Sequence, residues 1–366
     1  MIKTVIEGEN PEQFIRYNDP NVEKIEDNEE DKITDIIESF RSMQEKNFKK
    51  YQYGLRGTHT KTQGIVKGTL TIPSDLPPYL SQGLFKHPGK YPVILRYANE
   101  PTQVEDDHAP GPRGIGMKVF NVPGSKLRQE ENSTTQDFFF NNVPVLELTN
   151  ATVCRDIQLL RDKYFDDPEG LKEVLKQRDD AKVQLARYEL PNTNIMGQDM
   201  FSQSAYRYGD YIVKYALFPI ADEQLKTKDQ HVKSTDSPSI LSEWIQDYFH
   251  DYSAQYEFRV QFCSDLNLQP VEDTSIEWSQ LLAPFHTVAT FDIPRQETLD
   301  TNICQWWHDD IRLSPWTGLE EHRPLGSINR VRKRLYNASA AYRAKKNDQQ
   351  VTFPQNLNET PPQTPL

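Results

Sequence analysis

The sequence predicts an α+β fold built on a large antiparallel sheet able to close on itself, with helices inserted and appended. Three observations predict it. Short β-rich runs recur between Gly, Pro and Asp turns; "AQYEFRVQF" alternates apolar and polar residues; and two long stretches carry helical periodicity instead.

The elements follow in order. Residues 1–30 are acidic and turn-rich, ending in "EKIEDNEEDK", and read as an N-terminal arm. "ITDIIESFRSMQEKNFKKY" places Ile33, Ile36, Ile37, Phe40 and Met43 on one helical face. From Gly64 to about Ile72 the pattern becomes strand-like, and "YPVILRYAN", "GIGMKVFN" and "TQDFFFNNVPVLEL" continue as strands. Cys154 to about Tyr188 reads as a helical block rich in Leu, Lys and Arg. Strands return in "DYIVKYALF", "AQYEFRVQF" and "FHTVATFDI". In the second of these Tyr256, Phe258, Val260 and Phe262 share one face. "SINRVRKRLYNASAAYRAKKN" is helical and closes a single domain over 31–347. The Pro- and polar-rich residues 348–366 are expected to be disordered.

Composition narrows the function. The chain has 366 residues, 36% hydrophobic and 26% charged, with a net charge of −12. The Lys/Arg residues form no stripe, which argues against nucleic acid as a partner. No apolar run reaches the length of a membrane helix and no secretory leader is recognisable, so a cytoplasmic location is expected. Cys154, Cys263 and Cys304 form neither a zinc pattern nor an even disulfide set and read as free thiols.

Two stretches carry chemistry. In "RGTHTKTQG" (56–64), His59 can be a structural residue, a metal ligand or an acid–base group, and its neighbours leave all three open. In the last helix, Arg332, Tyr336 and Arg343 lie four and seven residues apart and return to nearly one face. Cations on that face favour the phenolate form of a tyrosine, and a phenolate is a hard ligand suited to Fe(III). Ala338, Ala340 and Ala341 are small enough to let a flat macrocycle approach. A solvated helix face with a packed tyrosine accounts for the spacing equally well, and Arg207 and Tyr211 repeat it where glycine opposes a helix.

Five blocks in order resemble the catalase family: "RGTHTKTQG", "LRYAN", "GPRGIGMKVFN", "QDFFFNNVPVLEL" and "RKRLYNASAAYRAKKN", spanning residues 56–347. The resemblance implies a closed antiparallel catalase-type barrel binding one ferric haem b. It makes Tyr336 the axial iron ligand, with Arg332 stabilising its phenolate, and Arg56, Arg96 and Arg343 the holders of the propionates. It makes His59 the distal acid–base group and Asn141 its partner. The helical and flavodoxin-like C-terminal extensions of large catalases are absent from these residues.

Departures from the family pattern shape the expected activity. Thr58 replaces the usual valine before the distal histidine, as in catalase-related allene oxide synthases, and is expected to position peroxide with Asn141. Ala98 replaces the serine that orients the histidine, so the Thr58 hydroxyl or a backbone group must fix its tautomer. Gly111 replaces a channel aspartate, and Leu146 replaces a pocket phenylalanine, which implies a more aliphatic pocket. Lys61 follows His59 on the same strand face, where catalases also carry lysine. The expected function is O–O cleavage of a fatty-acid-type hydroperoxide, as in an allene oxide synthase or hydroperoxide lyase. A separate lipoxygenase would supply the substrate, and the chain would form a homo-oligomer such as a dimer. The alternatives are a minimal catalase or organic peroxidase, and a non-catalytic haem or lipid carrier. The other seven histidines, including His308 and His322, show no mutual ligand spacing.

Overall fold

The computed structural model describes residues 11–127 and 133–362. Helix α1 (Glu29–Tyr51) precedes four strands, β1 (Thr62–Ile72), β2 (Gly89–Asn99), β3 (Arg113–Val119) and β4 (Gln136–Asn141). Helices α2 (Ala151–Lys163), α3 (Pro168–Leu175) and α4 (Ala181–Leu185) form an insertion. Then come β5 (Met200–Phe201), β6 (Tyr206–Tyr208), β7 (Tyr211–Pro219), α5 (Asp222–Leu225) and α6 (Ile240–Asp251). The chain continues through β8 (Ala254–Phe262), β9 (Phe285–Ile293), α7 (Thr301–Asp309) and α8 (Ser327–Asn347).

The strands pair antiparallel in the order β5-β4-β3-β2-β1-β9-β8-β7-β6, and an additional β5–β7 pairing closes a ring of eight strands with β6 outside it. Closure leaves the ring without a free edge. The alternation read in β8 holds: Tyr256, Phe258, Val260 and Phe262 are all at most 2% exposed and point into the barrel. Phe138 and Phe258 meet there edge to face with ring centroids 4.9 Å apart. In β2, Val93, Leu95 and Tyr97 point inward while Ile94 joins an outer cluster with Ile303 and Trp307 of α7. Strands covered on both faces lose polar alternation, as "YPVILRYAN" does.

The helices pack as a layer outside the barrel. Ile33, Ile36, Phe40 and Met43 of α1 meet Ala151 and Cys154 of α2 and Ile328, Val331 and Leu335 of α8, as the helical spacing of α1 requires. The predicted helical block breaks into three, and the first break falls where Asp167, followed by Pro168, starts a new helix, its side chain accepting from Gly170 N. Strand β4 stops at Asn141, so "VPVLEL" is loop rather than strand. Helices α6 and α7, amphipathic but short, have no counterpart in the sequence reading. No helix among the described residues is long and apolar enough to cross a membrane.

Both ends of the described chain lie along the barrel. Phe14 stacks on Phe262 and Ile15 N donates to Cys263 O, so the described part of the expected arm is seated. Residues 348–362, expected as disorder, also make contacts: Thr352 bridges Ile311, and the Lys67 ammonium donates to Pro361 O at 2.9 Å. The remaining residues of both segments, 1–10 and 363–366, lie outside the described residues.

Candidate active site

The site is built on the outer wall of the barrel. Register places Ala98, Gly114 and Asn141 in one row across β2, β3 and β4, and Arg96, Gly116 and Phe139 in the next. Because directly opposed residues share a face, both rows look away from the core that holds Tyr97, Ile115 and Phe140. Glycine in the middle of each row leaves a trough. A Cβ on Gly114 would lie 2.2 Å from His59 Cε1, so this glycine is the space in which the imidazole sits.

His59 reaches that space from a bend before β1 rather than from the strand itself. Its φ of 52° is left-handed, a conformation that a β-carbon disfavours. Two bonds hold it there: His59 N donates to Glu100 O at 2.9 Å, and its carbonyl accepts from Arg96 Nη2. The Thr58 hydroxyl donates to the same Glu100 carbonyl at 2.8 Å. The hydroxyl proton is therefore not available to the imidazole or to a peroxide. With Ala98 beside it, the His59 ring has no hydrogen bond among the described residues. Burial pushes its pKa down to about 4; the Glu100 carboxylate opposes this and Arg96, Arg332 and Arg187 add to it. At neutral pH the ring is an uncharged base.

Helix α8 forms the opposite wall. Its cavity-lining residues are Arg332, Leu335, Tyr336, Ser339, Ala340 and Arg343, the recurrence of a single helical face. Ala340 lies at the cavity, as its size suggested; Ala341 is exposed, and Ser339 takes the place beside Ala340. Tyr336 meets Phe139 of β4 edge to face at 5.4 Å. Arg332, one turn earlier, donates to Ser204 Oγ at 3.0 Å and Asn329 Oδ1 at 3.3 Å.

Arginines crowd one end. Arg56 donates to the Trp307 and Ile311 carbonyls and Arg343 donates to Ile311 O at 3.0 Å. Arg96 spends Nε on Thr62 Oγ1 and Nη2 on the carbonyls of His59 and Thr60, so much of its fork braces the distal bend. Burial, then the charges of Arg343 and Arg96, holds the Arg56 guanidinium well below its ordinary pKa, and burial followed by Arg343 brings Arg96 down to about 9. Neither Arg56 nor Arg96 has an ion pair among the described residues, and Arg56 Nε is buried without a partner.

The eight residues to which the resemblance gave site roles, Arg56, Thr58, His59, Arg96, Asn141, Arg332, Tyr336 and Arg343, line one cavity that is partly open to solvent. A haem fits the donor set. Arg56 and Arg96, with no carboxylate among the described residues, call for an anionic group, a phenol faces the cavity on one wall, and an imidazole and an unpartnered buried Asn141 Oδ1 stand on the other.

Other expectations change. Leu146 does not line the cavity; it packs against the cluster shared by α1, α2 and α8, while Phe40, Phe139 and Phe140 line the site, so the pocket is more aromatic than expected. Lys61 is bound to Asp107 at 2.7 Å and not offered to the cavity. Gly111 borders open space, with nothing within 4 Å of a Cβ there. Sequence reasoning gave no role to His308, whose ring contacts Thr62 Oγ1 at 3.0 Å and stays neutral through burial and the nearby charges of Arg96, Arg56 and Arg343. It also missed Glu100, and only its place just after "LRYAN" could have flagged it.

No protein-family model matches the sequence, and no curated protein matches it. Solved structures do. A fungal catalase superposes with a TM-score of 0.61 at 13% identity, covering 86% of this chain and 67% of that one. Catalase A from Saccharomyces cerevisiae gives 0.59 at 13%, covering 81% and 62%. A bacterial catalase gives 0.54 at 17%, covering 82% and 60%. This chain thus spans about two thirds or less of the length of these structures. At such identities the shared property is architecture: the chain has the fold of the catalases.

Proposed function

We propose that this protein is a haem-dependent enzyme that cleaves the O–O bond of organic, fatty-acid-type hydroperoxides. The observation that carries the haem assignment is the convergence of His59, Asn141, Tyr336 and three arginines, from segments far apart in sequence, on one cavity where Arg56 and Arg96 have no carboxylate partner among the described residues. In this reading Tyr336 holds ferric haem b and Arg332 stabilises the tyrosinate. Arg56 and Arg343, with what remains free on Arg96, meet the propionates. Bound there, the haem supplies the redox chemistry of O–O cleavage.

The chain's own residues handle the proton. The Asn141 carboxamide, which lines the cavity with His59, donates to the peroxide oxygens and leaves the O–H proton to the imidazole. His59, neutral above about pH 4, takes that proton and returns it to the departing oxygen. Thr58 serves through its anchor on Glu100 rather than by touching peroxide.

Preference for organic peroxides rests on Ala98 and Gly111, which remove a hydroxyl behind the imidazole and a carboxylate from the approach. The aromatic lining favours the second reading, a minimal catalase or organic peroxidase. A peroxide panel on haem-loaded protein separates them. Loss of conjugated-diene absorbance from a fatty-acid hydroperoxide, with little oxygen release from hydrogen peroxide, is expected. Vigorous oxygen release without lipid turnover selects the second reading, and inertness to every peroxide selects a carrier. Tyr336→Phe is expected to lose the haem spectrum while folding normally.

A further inference from the structure

Behind the distal bend lies a buried charge network that the proposed chemistry does not yet use. Residues 58–60 are zipped onto 100–102: Thr58 and His59 bond Glu100 O, Thr60 N donates to Pro101 O at 3.3 Å, and Thr60 Oγ1 donates to Thr102 O at 2.7 Å. The Glu100 side chain turns into a cluster of two carboxylates and two guanidiniums. It pairs directly with Arg187, and Arg161 Nη1 lies 3.8 Å away. Arg161 also pairs with Glu147 at 2.7 Å, and Arg187 lies 3.5 Å from Glu147. All four side chains are 12–17% exposed. Arg161 stands on α2, Glu147 on the loop before it and Arg187 on the turn after α4, so the insertion supplies three of the four members.

We propose that Glu100 is the positioning residue of the distal site, its carbonyl pinning the Thr58–His59 bend and its carboxylate, clamped by the helical insertion, setting the electrostatic environment of the imidazole. The proposal rests on the reading of His59 as the proton-transfer group.

These four members are neutral together, two anions against two cations, and Glu105, whose carboxyl burial raises, is a further acid facing Arg187 and Glu100. Burial alone would raise the Glu100 carboxyl, but Arg187, Arg161 and the facing His59 outweigh it and bring it down to about 2, so it stays ionised. The imidazole is faced by Glu100 and Arg187 on this side, by Arg96 from β2 and by Arg332 from α8. Removing one member of the cluster leaves a net unit charge beside His59. Glu100→Gln leaves a positive charge and disfavours the imidazolium; Arg187→Gln leaves a negative charge and favours it.

The test is a ring titration of His59 by NMR in the full-length chain with ¹³C-labelled histidine, the resonance assigned by its loss in His59→Gln. Arg187→Gln is expected to raise the midpoint by about one pH unit, and Glu100→Gln to lower it. The doubly neutral variant Glu100→Gln/Arg187→Gln is expected to return it to the wild-type value. His322, buried in the barrel and held near 3, serves as the internal control, because loss of fold would release its ring to titrate near 6.5. A merely structural role for Glu100 would move both single variants upward together, toward the unfolded value. That outcome, or coincident titrations in wild type and Arg187→Gln with His322 still silent, overturns the proposal. The measurement needs neither haem nor turnover. A chain inert to every peroxide would remove the functional reading on which the positioning role rests without changing these titrations, so the two failures are told apart.

Discussion

Gly114→Ala places one methyl group where the imidazole now lies. The added Cβ would sit 2.2 Å from His59 Cε1 and 2.5 Å from Nδ1, whereas ordinary contact begins at 3.4 Å. The shortfall, 3.4 − 2.2, is 1.2 Å. The strand cannot supply it, because Gly114 is paired with Ala98 on one side and Asn141 on the other. Nor can the backbone of His59, pinned by Glu100 O and Arg96. The ring must therefore swing by about 1 Å, a displacement that costs about 10²-fold in rate when a reacting group is involved. Overpacking of this kind also costs roughly 1–3 kcal/mol of stability. The assay is kcat/KM of haem-loaded protein on a hydroperoxide, together with the thermal midpoint. Gly111→Ala is the control, since nothing lies within 4 Å of its Cβ, and it should behave as wild type. Activity of Gly114→Ala within about twofold of wild type would refute the placement of His59 as the reacting group.

Three further outcomes follow from the same geometry. Arg56→Met removes one of several mutually repelling buried cations, so haem-free protein should gain about 1 kcal/mol by thermal or urea unfolding while haem is retained less tightly. Stability should fall as pH is lowered from 7 to about 4.5. The unfolded chain protonates its histidines near 6.5 while folded His59 (about 4) and His322 (about 3) do not, so stability present above 6.5 is lost through that window. His59 contributes at most about 3 kcal/mol, and His59→Gln should flatten the slope in urea melts across pH. Thr58→Val leaves the Glu100 carbonyl with a single donor; a loss of about 1 kcal/mol in the unfolding free energy is expected, with little change of shape.

Periodicity in the sequence already contained much of the architecture. The face of α1, the strand β8 and the span of α8 were legible because one long amphipathic pattern specifies each. The eight cavity residues were legible too, but as a resemblance: nothing local joins Arg56 to Arg343, and only register and packing bring them together. Short helices such as α6 and α7 escaped because their patterns are brief and their apolar faces are explained only by the barrel they cover. Seating of the tail escaped because polar, Pro-rich composition looks the same whether or not a groove receives it.

Sequence alone determined which chemical groups are present: an imidazole with a threonine before it, a carboxamide, and a phenol with guanidiniums along one helix face. Tertiary structure decided what those groups are free to do. Thr58 points its proton at Glu100 O and not at the site, Arg96 braces a strained bend as well as lining the cavity, and Leu146 turns away from the pocket. The distinction has a physical cause. Side-chain chemistry is a property of the residue, whereas hydrogen-bond partners, burial and the charge facing a group belong to whatever the fold places beside it.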